Sequence, residues 1–344
     1  MTTPRLRLED PPLLTGAGRY VADLIDPDTL HCIFVRSPLA HGVLTSPDLS
    51  AARSMPGVVG VFAADDLDLP DLPSSPGRGA PEAIGMGQPP LARDRVRYQG
   101  EPVAVVVAET ALQAVDAADQ VWLDIEPLPA VMTFEQAVSD QTLLFPEAGT
   151  NLVADTVVGV EGPPPAVEVE ATVEVEIPRV SPVTIEPLAI LVRPQGDKLE
   201  VFCGHQSPGR LPAQLGSLVG VEPARIRARV PDVGGAFGTK GQFYPEYVVV
   251  TALAHRLGQP VAWIERRREQ LMGGTHGRGQ TVKVTIGGDQ GGRIRAVQLE
   301  FRGEIGAYPS TGSRIPFFSL AVAQGLYDIE YLQARVRVAV TNRA

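Results

Sequence analysis

Cysteine is nearly absent: Cys32 and Cys203 are the two in 344 residues. Two thiols cannot provide the four ligands of an iron–sulfur cluster, and they give no disulfide framework. A reducing cytoplasm suits such a chain. Were it part of a redox enzyme, its electron-transfer centres would sit on other chains. Long apolar runs are missing too. No stretch approaches the roughly 18 consecutive apolar residues of a membrane span, and Met1 to Leu14 has no basic-then-apolar leader of the kind that directs secretion. Positive charge is scarce, with 30 Lys and Arg against 40 Asp and Glu and a formal net charge of −10. A nucleic-acid partner calls for a basic face and is not expected. The five histidines, His31, His41, His205, His255 and His276, fall in no His-Glu-x-x-His spacing, so no zinc site is expected. Without a Gly-x-Ser-x-Gly elbow, serine hydrolysis has no foothold.

What is present is an ordinary globular composition, 44% hydrophobic and 20% charged, too apolar for disorder. A chain this long exceeds one compact core of usual size, so two or more domains are expected. The pattern divides into a block over 1–150, a Pro-rich linker over 151–165 and a block over 166–344, an α+β organisation. In the first block Leu30 to Val35, Val58 to Phe62 and Pro102 to Ala108 read as strands, and Val121 to Ile125 alternates again. Glu109 to Gln120 reads as a helix with Ala111, Val115 and Ala118 on one side. Asp68 to Pro90 is dense in Pro, Gly and Ser and is expected as a surface loop.

In the last block Val167, Val169, Val173, Val175 and Ile177 alternate with Glu168, Glu170, Thr172, Glu174 and Glu176. That period predicts a half-buried strand with a solvated acidic face. A metal-binding stripe is the sharper alternative, but side chains on one face of a strand point parallel and do not converge. Ser207 and Pro208 start a helix carrying Leu211, Leu215 and Leu218. Tyr244 to Leu257 is a second, stopped by Gly258 and Pro260. Thr281 to Ile286 and Arg293 to Phe301 form a hairpin around Gly287 to Gly292, and Gln333 to Val340 is a further strand.

The run of most chemical interest is Val233-Gly234-Gly235-Ala236-Phe237-Gly238-Thr239-Lys240, with Gln206 upstream in Gly204-His205-Gln206-Ser207-Pro208. Glycines let a backbone approach a ligand closely and adopt positive φ. The alternation from Arg225 to Val230 puts them at a strand end, where α/β folds place ligands. The segment offers a row of N–H donors, one ring and one amide, which suits an anionic or oxo-bearing cofactor. It is neither a Walker loop, since Thr239 precedes Lys240, nor a Gly-x-Gly-x-x-Gly fingerprint. A tight turn for the glycines, a core anchor for Phe237 and a capping amide for Gln206 remain the plain alternatives. For Lys240 the choice is an anion or a cover for the loop. Arg267, Glu269, His276 and Arg278 read as surface salt bridges.

The order of several segments resembles the large, molybdopterin-binding subunit of the xanthine dehydrogenase/aldehyde oxidase family, including its aerobic carbon monoxide dehydrogenase-type bacterial members. The matching pieces are Thr15 to Asp23, Val35 to His41, Met55 to Val58, Val96 to Ala104 and Glu126 to Val131. Glu186-Pro187, Gln206, Gly234 to Lys240, Pro260 to Trp263 and Gly306 to Tyr308 follow in the same order. The resemblance implies a hammerhead α+β domain over 1–150 and, over 166–344, the first mixed α/β molybdopterin-binding domain. The second such domain, which in the family carries the glutamate that acts as base, lies beyond the match.

By the same resemblance Gln206 hydrogen-bonds an oxygen ligand of molybdenum, and Phe237 walls the substrate channel. Gly234, Gly235, Ala236 and Gly238 bring main chain to the cofactor. The implied reaction hydroxylates an aldehyde or N-heterocycle with water. The implied cofactor is molybdopterin, as the cytosine dinucleotide, and the implied partners are an FAD-binding medium subunit, a [2Fe–2S] small subunit and a second large-subunit chain. Without that chain's glutamate the protein is expected to be inactive; the alternative is a truncated, non-catalytic assembly or binding module. Ala236 stands where the family commonly has glycine. Gly241 stands where xanthine-oxidising members carry a glutamate, which argues against a purine, and the cysteine loop needed for carbon monoxide is not found.

Overall fold

The computed structural model describes residues 7–74 and 85–344. Its strands are β1 (Leu30–Arg36), β2 (Gly42–Leu44), β3 (Val58–Ala63), β4 (Arg95–Val96), β5 (Pro102–Ala108), β6 (Ile125–Pro127), β7 (Leu152–Gly159) and β8 (Val169–Val180). Then follow β9 (Ala189–Gln195), β10 (Lys198–Cys203), β11 (Ile226–Arg229), β12 (Val261–Ile264), β13 (Gly277–Gly288), β14 (Ile294–Glu304) and β15 (Tyr331–Ala339). The helices are α1 (Asp10–Leu14), α2 (Ser50–Arg53), α3 (Ala64–Leu67), α4 (Ala111–Ala118), α5 (Phe134–Val138), α6 (Leu211–Val219), α7 (Pro245–Leu257), α8 (Arg267–Gly273) and α9 (Ile315–Ala321). No helix among the described residues is long and apolar enough to cross a membrane.

A seven-stranded mixed sheet runs β11-β10-β9-β12-β1-β5-β3. Strand β5 explains its own composition. Val105 and Val107 point into the core that holds α6 and α7, while Ala104, Val106 and Ala108 meet α4 and α2 on the other face. A strand covered on both sides needs apolar residues at every position, so Pro102–Ala108 is buried throughout. Thr110 caps α4 by accepting the Gln113 N–H, at 3.3 Å.

The sheet joins distant parts of the sequence. Strand β1 pairs with β5 on one side and, in parallel, with β12 on the other, through Leu30–Val261 and His31–Ala262. Buried charge crosses the same seam. Arg36, at the end of β1, meets Glu246 of α7 at 2.8 Å and Glu269 of α8 at 2.9 Å, all three side chains being nearly inaccessible. Nearby, Glu101 accepts the Arg97 N–H at 2.5 Å and the Tyr308 hydroxyl.

The second sheet, β7-β15-β14-β13-β8, packs its central strands against α5, α9, Phe145 and Tyr308. Here three expectations change. The stretch 151–165, expected as a linker, begins with β7, which pairs antiparallel with β15 from Gln333–Gly159 to Ala339–Leu152. The expected half-buried strand exists as β8, but its apolar face is open: Val173 is 54% and Val175 46% exposed. Strand β8 is an edge that pairs, among the described residues, only with β13, and the core beneath the sheet stops at the inner strands. Of Val121 to Ile125, only Ile125 enters a strand; Trp122 forms a lone bridge with Asp48. In the Asp68–Pro90 loop Leu72 bridges Gln88, and 75–84 lie outside the described residues.

Candidate functional site

Strand β11 ends at Arg229 and delivers the chain to the glycine segment, which closes in a short 3₁₀ turn over Thr239–Gly241. Gly235 (φ +94), Phe237 (φ +49) and Gly238 (φ +94) all take left-handed backbone. For phenylalanine that conformation carries strain of order 1 kcal/mol or more, a feature that collects at functional sites. Left-handed residues set in a short turn can bring neighbouring N–H groups to one side, a concavity suited to anions. Among the described residues no acceptor lies within hydrogen-bond reach of the N–H of Gly235, Ala236, Phe237 or Gly238. The Phe237 ring is 80% exposed, so it is not a core anchor.

Gly234 has a different task. Its N–H donates to Glu186 Oε2 at 2.8 Å, its carbonyl accepts the Glu186 N–H, and a Cβ there would lie 2.5 Å from the Glu186 Cβ. Glycine at 234 is therefore required by packing. Lys240, fully buried, pairs with the same Glu186 oxygen at 2.5 Å. It holds the loop from beneath and is not available to an anion. Gln206 docks on this turn: its N–H donates to the Lys240 carbonyl at 2.8 Å, and its Oε1 lies beside Gly241. The structure thus ties Gln206 to the C-terminal side of the Phe237 loop with its amide exposed.

Phe237 and Gly238 line a cleft of about 1010 Å³, with Ile177, Val180, His276, Arg278 and Phe318 around it. Burial, and then Arg179, lowers the His276 pKa, so its imidazole is neutral at neutral pH. Arg278, a second non-glycine residue at positive φ, faces the cleft with no ion pair among the described residues. The Gln280 carbonyl oxygen is buried at the cleft wall without a partner, while its amide nitrogen donates to Ser319 at 2.8 Å. Free main-chain donors, a cation and an amide fit an anionic, oxo-bearing cofactor. Among the described residues no group of His, Cys, Asp and Glu could hold a bare metal ion, so any metal here would come held by its own organic ligand.

The polar cluster expected as surface salt bridges divides instead. Arg267 donates to the carbonyls of Thr184 and Ile185, and Glu269 is buried against Arg36. His276 and Arg278 enter the cleft, as does α9, which no periodic pattern in the sequence marks. For α9 the signal is a large hydrophobic side chain left exposed, Phe318 at 65%, and it exists only in three dimensions.

Residues 159–344 match the molybdopterin cofactor-binding domain family, and residues 15–129 match the a/b hammerhead domain of aldehyde oxidase and xanthine dehydrogenase. The nicotine 6-hydroxylase large subunit of Paenarthrobacter nicotinovorans is 33% identical over 98% of this chain and 42% of its own length. The carbon monoxide dehydrogenase large chain of Hydrogenophaga pseudoflava is 28% identical over 98% of this chain and 44% of its own. Quinoline 2-oxidoreductase from Pseudomonas putida 86 superposes with a TM-score of 0.91 at 30% identity, over 99% of this chain and 44% of that one. The chain spans less than half the length of these relatives. With the glycine loop, the hammerhead strands and these matches in agreement, the chain belongs to the molybdopterin-binding xanthine dehydrogenase and aldehyde oxidase family, corresponding to the N-terminal half of its large subunits.

Proposed function

We propose that this chain forms one wall of a molybdopterin site in a multi-subunit cytoplasmic hydroxylase acting on an aldehyde or N-heterocycle with water. The single observation that carries this is the strained, solvent-facing Phe237 loop, whose unclaimed N–H groups border a large cleft. Gly235, Ala236, Phe237 and Gly238 would hold oxygen atoms of the cofactor through main-chain donors, and the Gln206 amide would add a side-chain donor beside them. Gly234 serves by fixing Glu186. When bound, the cofactor, in its cytosine dinucleotide form, supplies the two-electron redox chemistry. Electrons would be passed to a [2Fe–2S] small subunit and an FAD-binding medium subunit, since the two buried cysteines present here cannot ligate a cluster.

The cleft lining includes no carboxylate among the described residues, so the base would come from outside them, on this reading from a second large-subunit chain. Apolar residues left open around the cleft, Val180, Val183 and Phe318, give that chain a surface to cover. The same missing carboxylate favours the second reading, a non-catalytic assembly module of this family. Co-expression with the neighbouring reading frames, followed by metal analysis of the purified complex, separates the two. Stoichiometric molybdenum supports the hydroxylase, and complex without molybdenum leaves only the assembly module. Gln206→Ala and Phe237→Ala should each lower molybdenum retention on dialysis without changing the far-ultraviolet circular dichroism.

A further inference from the structure

We propose that β8 is a docking edge that takes an extended segment of a partner chain, cationic and apolar at alternate positions, as the next strand of the second sheet. This rests on the reading above that a second chain completes the Phe237 cleft, and it names the chemistry by which that chain attaches. Strand β8 is the last strand on its side of the sheet and pairs, among the described residues, only with β13. Ten of its twelve residues are exposed, so no other described segment covers its outer side. Unpaired backbone N–H and C=O groups along such a side are a template for a further strand. Pro178 has no N–H to donate, which limits the usable edge to 169–177.

The two faces of β8 specify what fits. On one, Val173 lies opposite Val284 and Val175 opposite Val282. Those β13 valines pack against the core of the sheet, whereas Val169, Val173 and Val175 stay open. The apolar layer thus runs one strand further than its cover, and apolar residues on an added strand would pair with it across the ladder. On the other face stand Glu170, Thr172, Glu174 and Glu176. Glu174 has Lys283 opposite it and Arg302 at 3.0 Å. Glu170 and Glu176 lie opposite Gly287 and Thr281 and form no ion pair with any described residue. Cations on an outer strand would match them.

A second copy of β8 does not meet these demands. A two-fold axis normal to the sheet would bring two β8 strands together antiparallel with the same face up, so the acidic faces would coincide and repel. A different chain is required, and length and position say where it comes from. In the relatives above, more than half of the large subunit lies outside the matched part. Val180, at the end of β8, lines the Phe237 cleft. A strand laid along β8 therefore leads the partner chain to the rim where the hydroxylase reading needs a base.

Fluorescence anisotropy of a labelled peptide that alternates Lys and Val over the length of 169–177, titrated with the purified full chain, tests this. Its controls are a peptide with the same residues in two blocks and one with Glu in place of Lys. The alternating peptide should bind roughly tenfold more tightly than the block peptide, the margin of a few cross-strand pairs. It should also slow hydrogen exchange of the 169–177 amides, and added salt should weaken it. Glu170→Lys combined with Glu176→Lys should reverse the order of the Lys and Glu peptides. Both positions are exposed, so circular dichroism should show the double variant folded. Five results would each overturn the proposal: no binding of the alternating peptide, equal binding of the block peptide, unchanged exchange at 169–177, a preference that survives the double variant, or a sedimenting dimer of the chain that already protects β8. None of these measurements needs molybdenum. Selective peptide binding with no metal in the co-expressed complex sinks the hydroxylase reading alone. Molybdenum in a complex whose β8 amides exchange freely sinks this proposal alone.

Discussion

Gly234 and Glu265 show how single positions set stability. Gly234→Ala places a methyl group where the Glu186 Cβ already stands, 2.5 Å away. Backbone or Glu186 must shift, and the shift disturbs the buried Lys240 pair. A loss of about 1–3 kcal/mol is expected, read from the urea midpoint. Glu265 is buried, and that burial, reinforced by Glu246 and opposed by the Leu188 N–H, raises its carboxyl to about 7. The folded state binds this proton more tightly than the unfolded one. Its stabilising contribution is therefore whole below about pH 4.5 and is lost as pH rises through about 7. Glu265→Gln keeps an acceptor for Leu188 and removes the titration. Stability of the variant should be flatter between those limits and greater than wild type at pH 8, by an amount on the order of 3 kcal/mol. Equal pH slopes in the two proteins would refute this. At this scale the sequence disclosed Phe237 and its glycines, because glycine density is a local signal. It hid the Glu186–Lys240 pair and the entry of His276 and Arg278 into the cleft, which depend on residues distant in the chain.

Among whole elements, periodicity disclosed what repeats and stayed silent on what covers it. The hairpin, α7, β5 and β15 all lie where their patterns place them. Strand β8 has the expected alternation, yet neither face is buried, because it sits at an edge beyond the reach of the core. Strand β7 carries no local signal of its own: prolines at 163–165 draw attention to a linker, while the residues before them pair with a strand 180 positions away, as in the Arg335–Asp155 contact. The exposure of β8 has a measurable result. Val173→Thr and Val175→Thr should each change the stability of the isolated chain by no more than about 0.5 kcal/mol. Val106→Ala, in the fully buried β5, should cost about 2 kcal/mol or more. Comparable losses at all three would mean that β8 is covered in solution.

For the whole molecule, the sequence blocks and the folding units are different things. A hammerhead block over 1–150 reads as self-contained, but its strands β3, β5 and β1 form only one end of the seven-stranded sheet, and β12 continues it from the second block. The core on the α7 face is built from Phe34, Val105 and Val107 together with Trp263, Tyr247 and Leu253. Arg36 finds its partners, Glu246 and Glu269, entirely in the second block. Residues 1–150 expressed alone would expose one whole face of β1 and β5 to water and lose both counter-charges of Arg36, an apolar exposure costing several kcal/mol against a total stability of about 5–15 kcal/mol. That fragment should therefore be insoluble or lack cooperative unfolding, whereas the full chain should melt in a single transition through the shared sheet. Mixing the fragment with residues 151–344 should restore protection of the β5 amides from hydrogen exchange. Independent folding of 1–150, with β5 protected in isolation, would show that the shared sheet contributes little to holding the two blocks together.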